Sequence, residues 1–512
     1  MPRLSLARNT PPALSVAVLC IGGMTVSFTQ TLVIPIQSEL PRLLGASPSN
    51  APWVVTITLL AAAVSMVVSG RLADMFGKQR VLAVSSGLLV LGSLVCALSN
   101  TLGPMLTGRA LQGISLGFIP VGISLIREIT PPKMAPTALA TMSATLGVGG
   151  AIGLPLAAWL VNIGSWHTLF WVSTVVAGVV FVLTVLVIPH VHDSRGGHFD
   201  AVGALGLAIG LIAFLVGISK ATAWGWGNAR TLGAIAAGLV ILVVWALFEL
   251  RQAEPLVDLR STAKLPVLMT NIAAIALGFG MMAQSIVTPQ LLGLPAGTGY
   301  GLGQSIQAVG LWMAPAGIMM LLFAPISSTL ISGIGPKITL MIGGTVTAAG
   351  YVLGTLLMDA PWQLAIMTCV ASAGVGIGYA ALPTLILDAT PPAEAAAAVG
   401  LNALSRSVGS SLASALMGTL LASNTVTFGA AKLPSRHAFT LCFIVGAVAA
   451  LLGVALATFI PRRRPADAPA LAAPDATCRA ARSAPASLGP DGERSLGADE
   501  VPVGAKEARS AV

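Results

Sequence analysis

The sequence predicts an all-α integral membrane protein with 14 transmembrane helices, arranged as six, two and six. Three observations carry that prediction: the composition, the spacing of apolar runs, and an internal repeat. Of 512 residues, 55% are hydrophobic and 9% charged, with a mean hydropathy of +0.89. Soluble domains carry about 25% charged residues, which excludes a soluble fold. A chain in lipid must satisfy its backbone within each segment, and helices do so.

About 20 apolar residues span a bilayer. Fourteen such runs follow one another at 14–36, 51–70, 81–99, 104–127, 137–162, 168–189, 201–219, 231–249, 265–291, 304–324, 338–358, 363–387, 396–421 and 437–459. They are numbered helices 1 to 14 here. The chain then divides into a cytoplasmic N-terminus (1–13), an N-terminal six-helix bundle (14–189), two inserted helices with linkers (190–264), a C-terminal six-helix bundle (265–459) and a disordered cytoplasmic tail (460–512). The tail is rich in Pro, Ala and Ser and too poor in large apolar residues to fold alone.

An even number of spans puts both termini on one side. With the N-terminus inside, fifteen Lys and Arg fall on inner segments, among them Arg3, Arg8, Arg71, Lys78, Arg80, Arg127, Arg195, Lys337 and Arg462 to Arg464. The outer loops hold five: Arg42, Lys220, Arg230, Lys432 and Arg436. Positive charge marks the cytoplasmic face, so both termini are expected in the cytoplasm of a cell membrane. The Ala-rich, Arg-over-Lys composition suits a bacterial one. The net charge of +9 belongs to this orientation pattern and implies no nucleic acid partner. Cys20, Cys96, Cys369 and Cys442 sit singly in apolar runs, which is no disulfide framework.

The repeat joins "GISLGFIPVGISLIREITPP" from Gly113 to "GVGIGYAALPTLILDATPP" from Gly374. Phe118 aligns with Tyr379, and Thr130-Pro-Pro with Thr390-Pro-Pro. Gly77 before helix 3 matches Gly335 before helix 11. Helices 1–6 and 9–14 therefore read as two parallel copies, an arrangement found in secondary transporters.

Between helices 2 and 3 stands "GRLADMFGKQR", Gly70 to Arg80. Gly70 lets two helix ends approach, and Gly77 permits a sharp turn. Asp74 suits a helix N-terminus or an arginine across the interface of the halves, while Lys78 and Arg80, with Arg71, keep the loop in the cytoplasm. The competing reading is an ordinary basic turn. In the second half Ser332 stands where Asp74 does. The spacing G-x-L-x-D-x-x-G-[RK]-x-[RK] resembles the signature loop of the major facilitator superfamily. Arg109-Ala-Leu-Gln112-Gly113 resembles that family's R-x-x-Q-G motif in helix 4. Fourteen helices resemble its drug:proton antiporter branch, and "LGVGGAIGLPLAAWL" resembles that branch's helix-5 motif. It departs from the branch at Gly153-Leu154-Pro155. The resemblance implies a major facilitator fold, alternating access, proton antiport and a gating role for the helix 2–3 loop. Gly149, Gly153 and Pro155 equally serve close helix packing.

Arg109 in helix 4 and Arg406 in helix 13 are the charges within spans; no Asp or Glu falls mid-span. Such a charge costs about 2.5–3.5 kcal/mol on insertion scales. Either the arginines snorkel or bind helix carbonyls, or they make a positive central cavity that disfavours cations. The family's usual helix-1 acid aligns with Thr29-Gln30-Thr31. Arginine does not release its proton, so coupling falls to an acidic substrate paired with Arg109 or Arg406, or to Glu39 at the outer mouth, which otherwise is simply solvated. Gln30, Gln112, Gln284, Gln290, Asn402, Trp53 and Trp312 complete the candidate transport cavity, with Met281, Met282, Met319 and Met320 as an adaptable surface.

"HVHDSRGGHFD" holds His190, His192 and His198, read as a solvated loop before a metal site. No metal, cofactor or catalytic residue is assigned: no nucleophile–base pair lies in a span, and no phosphate loop is present. The expected function is efflux of small hydrophobic compounds, neutral or anionic before cationic, with protons and the lipid bilayer as the other partners. An importer on the same fold, or a transport-silent membrane sensor, are the alternatives.

Overall fold

A computed structural model describes residues 10–461 except 34–35, 37–38, 48–49, 52, 191–197, 253 and 429–430. Arg3, Arg8, His192, Arg195, Arg462 to Arg464 and the tail lie outside the described residues. Fourteen long helices follow in order: α1 Pro12–Thr31, α2 Trp53–Phe76, α3 Lys78–Leu98, α4 Leu102–Ile129, α5 Ala135–Ile163, α6 His167–Val187, α7 Ala201–Trp224, α8 Ala229–Glu249, α9 Leu265–Gly293, α10 Ile306–Ile334, α11 Pro336–Leu356, α12 Pro361–Ala389, α13 Ala395–Ser423 and α14 Arg436–Thr458. Thirteen are long and apolar enough to cross a membrane. The other, α13, has 29 residues, and its serines, Asn402 and Arg406 lower its hydropathy. An antiparallel hairpin, β1 Thr425–Phe428 with β2 Ala431–Pro434, joins α13 to α14.

Local chemistry explains several boundaries. Gly77 breaks the chain between α2 and α3 at φ +97°, and Gly335 does the same between α10 and α11 at φ +86°. Only glycine enters that region without strain. The residues expected to form loops on the N-terminal side of these glycines are helical instead: α2 runs on to Phe76 and α10 to Ile334. Asp74 and Ser332 thus ride on last helical turns. Polar side chains there bond back to the helix, as Ser332 does to the Ser328 carbonyl at 3.0 Å, so they do not break it. Within α4, Ser115–Gly117 tightens into a 3-10 turn, where the Ser65 hydroxyl of α2 donates to the Ile114 carbonyl.

The same neighbours recur in α1–α6 and α9–α14. α3 packs on α4 and α6 as α11 does on α12 and α14; α1 packs on α5 and α6 as α9 does on α13 and α14. The two sets meet reciprocally, α2 against α13 and α5 against α10, so each lends its second helix to the other's fifth. α7 packs on α8 and also lies on α2 and α13. The term inner end below means the end bearing the α2–α3 turn.

Helix crossings within each set rest on backbone contact. A Cβ at Gly278 of α9 would stand 2.2 Å from the Arg406 carbonyl oxygen, and one at Gly409 of α13 would stand 2.0 Å from that of Ile275. In the first set a Cβ at Gly149 of α5 would stand 2.5 Å from the Met24 carbonyl oxygen of α1. Gly278→Leu is expected to destabilise the protein by more than about 2 kcal/mol, because the obstacle is backbone and cannot swing aside. Gly178→Ala, with nothing within 4 Å of the new methyl, should be near neutral. Thermal unfolding of the detergent-purified protein measures both.

Candidate functional site

The inner end is closed by bonds between the two sets of helices. Gly70 brings α2 against the start of α13: its Cβ would stand 2.5 Å from the Ala396 carbonyl oxygen. The Asp74 carboxylate therefore reaches the first turn of α13, where amides have no partner in the helix. It accepts from Ala396 N at 3.3 Å and Ala397 N at 3.0 Å. A carboxylate at a helix N-terminus gains both charge-assisted bonds and a favourable dipole, about 1.5–3 kcal/mol per bond to a charged group. Lys78, nearly buried, pairs with Glu128 of α4, which ties the turn to its own half. Arg127 of α4 then bridges to Asp388 of α12 at 3.2 Å. On the other seam the closure is uncharged: the Thr137 and Ser328 hydroxyls, on α5 and α10, lie 2.7 Å apart. Arg80 is exposed. Arg71 is half-buried, its Nε without a partner, and lines a cavity of about 260 Å3 with Glu249, Leu250, Gln252, residues 254–262, Glu394 and Ala397.

Arg109 is wholly buried inside the first set. Its Nε donates to the Val54 carbonyl of α2 at 3.1 Å; Nη1 donates to the Thr29 carbonyl of α1 at 3.0 Å and to Gln112 Oε1 at 2.8 Å. Gln112 Nε2 donates onward to Ser93 of α3 at 3.0 Å, and Ser93 lies 2.9 Å from the Ser173 hydroxyl of α6. The guanidinium thus clips three helices through α4, and Gln112 extends the clip to two more. Only Nη2 is left, buried and unpartnered.

Arg406 is built differently. Its Nη1 donates to Asn402 Oδ1 at 2.8 Å, and Asn402 Nδ2 donates to Asn271 Oδ1 of α9 at 2.9 Å. The guanidinium carbon lies 5.2 Å from the ring centre of Tyr379 on α12, within cation–π range. The side chain is 7% exposed, and no carboxylate pairs with it among the described residues. All described carboxylates of the long helices, Asp74, Glu128, Glu249 and Asp388, stand in last turns. Glu39 is exposed and paired with Arg42 at 2.9 Å.

The remaining candidates scatter. Gln284 Nε2 donates to Ser372 of α12 at 2.8 Å, leaving Oε1 buried and unpartnered. Gln30 is half-buried with an unpartnered Nε2, one residue from the carbonyl that Arg109 holds. Gln290 is exposed near the end of α9. Trp53 lies under Lys220 of α7, 4.9 Å from ring centre to ammonium, and Trp312 Nε1 donates to Gln304 at 3.2 Å. On α5, a Cβ at Gly153 would stand 1.9 Å from Thr31 Oγ1 of α1, and Pro155 abuts Gly310 of α10. Met320 fills the crossing of α5, α10 and α12, its sulfur where a Gly147 side chain would be.

Ser93, Ser173, Asn271 and Tyr379 were not singled out in the sequence. Lone serines in apolar runs carry little signal. Tyr379 carried some, because the repeat sets a tyrosine where its other copy has Phe118.

A family model described as Major Facilitator Superfamily matches residues 19–303 and again 268–496. The tetracenomycin C resistance and export protein of Streptomyces glaucescens is 29% identical over 424 residues, covering 81% of this chain and 76% of the relative. A multidrug resistance protein B homolog of Mycobacterium tuberculosis (strain ATCC 25618 / H37Rv) is 27% identical over 429 residues, covering 81% and 78%. Among solved structures, the human organic anion transporter MFSD10 superposes with a TM-score of 0.63 at 14% identity, covering 88% of this chain and 100% of that one. The proton:xylose symporter XylE gives 0.62 at 13%, covering 88% and 96%. At those identities the likeness is one of fold.

Two substitutions test this geometry. Arg109→Lys keeps the charge but cannot reach acceptors on α1, α2 and α4 together; a loss of about 2–3 kcal/mol is expected in thermal unfolding. Asp74→Asn should weaken the inner closure by about 1–2 kcal/mol. Labelling of a single cysteine at Ala398, which lines the inner cavity, should then speed up about tenfold.

Proposed function

The chain belongs to the Major Facilitator Superfamily, transporters rather than enzymes, and on that premise we propose that it exports small hydrophobic compounds, neutral or anionic before cationic. The cycle is alternating access: two six-helix halves rock about a mid-membrane site, coupled to proton entry. Export is favoured over import by the relatives, whose names speak of tetracenomycin C export and of multidrug resistance. The bonds joining α2 to α13 and α4 to α12 lie at the inner end, the closure expected of an outward-facing or occluded form when the basic turn is cytoplasmic. Both termini then lie in the cytoplasm.

The observation that carries the substrate preference is Arg406. Held by Asn402 and stacked on Tyr379 without a counter-ion, it presents positive charge in the interior of the second half. Arg109, spent on carbonyls, serves as the structural clip. At about 4 Å and an effective dielectric of about 20, a unit charge is worth about 4 kcal/mol to an ion, attractive to an acid and repulsive to a cation. An acidic substrate pairing with Arg406 would also carry its own titratable group.

Transport into inside-out vesicles under a proton gradient tests this. An anionic lipophilic dye should be accumulated and ethidium poorly. Arg406→Ala should cut anionic dye transport more than about tenfold with the protein still folded. Ethidium moving as well as the anion, with Arg406→Ala harmless, would sink the assignment.

A further inference from the structure

Two carboxyl groups at the inner end serve neither the closure nor the proposed site. Asp200 caps α7: its Oδ1 accepts from Gly203 N at 2.7 Å. Its Oδ2 is buried without a partner. Glu249, the last residue of α8, is 2% exposed. Its Oε1 accepts from Val257 N at 2.7 Å, and its Oε2 has no partner. The two orphan oxygens converge. A Cβ at Gly203 would lie 2.4 Å from Asp200 Oδ2 and 2.7 Å from Glu249 Oε2, so both orphan oxygens border the same point above Gly203.

Two ionised carboxylates so close repel, and each orphan acceptor has lost its hydration with no bond in return. One proton between them removes both penalties. We propose that Asp200 and Glu249 hold a single shared proton, and that this one-proton site fastens the linker after α8 against the closing helices α2 and α13.

The proton sits on Glu249. Asp200 stands at the N-terminus of α7, where the helix dipole favours an anion; Glu249 stands at the C-terminus of α8, where it disfavours one. Protonated Glu249 donates to Asp200 Oδ2 through Oε2 and accepts from Val257 through Oε1. Val257 and Leu256 are buried with Leu60, Ala63 and Val67 of α2, Leu207 and Leu211 of α7, and Leu404 of α13. The pair therefore anchors a strap lying across the α2–α13 seam.

The charged groups facing Glu249 are Arg71 from α2, Glu254, Asp258 and Arg260 from the linker, and Glu394 before α13, all lining the shared cavity. His198 precedes Asp200 on the other side. No described cation pairs with either carboxyl. When the proton leaves, like charges face each other, Glu249 swings toward the cavity, and the Val257 bond is lost. The strap is fastened at acidic pH and released as pH rises. This site is independent of what the protein carries.

The full-length protein in lipid nanodiscs tests it, read by infrared spectroscopy and amide hydrogen exchange. A protonated-carboxyl band is expected at neutral pH, absent from both Glu249→Gln and Asp200→Asn. Exchange in residues 254–258, corrected for its intrinsic pH dependence, should speed up on the order of tenfold from acidic to alkaline pH. Glu249→Gln, whose amide donates to Asp200 and accepts from Val257, should stay protected throughout. No such band, or equal exchange at all pH in the unaltered protein, would overturn the proposal. So would protection that depends on added sodium or calcium, which would make the pair a cation site.

Discussion

Arg109, Asp74 and Asp200 are held by peptide groups rather than by opposite charges, unlike Lys78, which pairs with Glu128. Arg109 rests on the carbonyls of Thr29 and Val54, Asp74 on the amides of Ala396 and Ala397, and Asp200 on the amide of Gly203. A charge in mid-span costs about 2.5–3.5 kcal/mol on insertion scales, which two or three charge-assisted bonds offset. Peptide dipoles suit the task because they come with the helix and need no second buried ion. They are available chiefly near helix ends, as with Thr29 in the last turn of α1 and the two alanine amides in the first turn of α13, whereas the Val54 carbonyl of α2 accepts from Arg109 in addition to Thr58 of its own helix. Arg406 is the exception. It leans on amide side chains and a ring, which leaves more of its charge unspent.

Small residues set where those peptide groups can be reached. Gly70 and Gly400 let α2 and α13 touch at the backbone, with Met66 opposite Gly400. Gly278 and Gly409 do the same for α9 and α13. The crossings inside a set, α9 on α13 and α1 on α5 through Gly149, interlock at the backbone, so in the proposed cycle each set moves as a body, and the α2–α13 crossing, which lies between the sets, is one that must part. The seams are unequal. That of α2 and α13 is closed by a carboxylate on amides, that of α5 and α10 by two hydroxyls. Breaking the first exposes a charge to water, which welcomes it; this lowers the cost of opening while keeping the closed form specific.

The fold was legible because membrane spans are long and their signal is composition. The fourteen runs map in order onto α1–α14, and the repeat foretold the matched packing of the two sets. Boundaries failed where polar residues bonded to their own helix: Pro325 to Ile334 fell outside the run 304–324 yet continue α10. Asp74 was legible through the spacing of its motif, whereas its partners were not, since an unpaired amide is a position in a helix and has no letter. Arg109 and Arg406 looked alike as lone charges. What separates them is which neighbouring helix offers a carbonyl, a matter of tertiary packing. Asp200 and Glu249 were hidden for a similar reason. They lie 49 residues apart, each at the end of a span where solvation is the default, and only the α7–α8 hairpin brings them together.

That hairpin also bears on why two helices are inserted at all. A tether between halves needs no transmembrane segment. α8 is mostly bare toward the surroundings, with only Thr231, Gly238, Trp245 and Glu249 buried, while α7 lies on α2 of one half and α13 of the other. These are the two helices joined by the Asp74 carboxylate on the amides of Ala396 and Ala397. The Trp226 indole of the α7–α8 turn donates to Thr419 of α13 at 2.6 Å, and at the inner end Leu256 and Val257 pack into the same seam. Helices that touch both moving partners at both ends change the energy of any motion between them, whether or not they touch the cargo. The insertion is thus positioned to set the balance between the closed and open forms of the seam, and a titratable pair at its base makes that balance answer to proton concentration on the side where the seam opens.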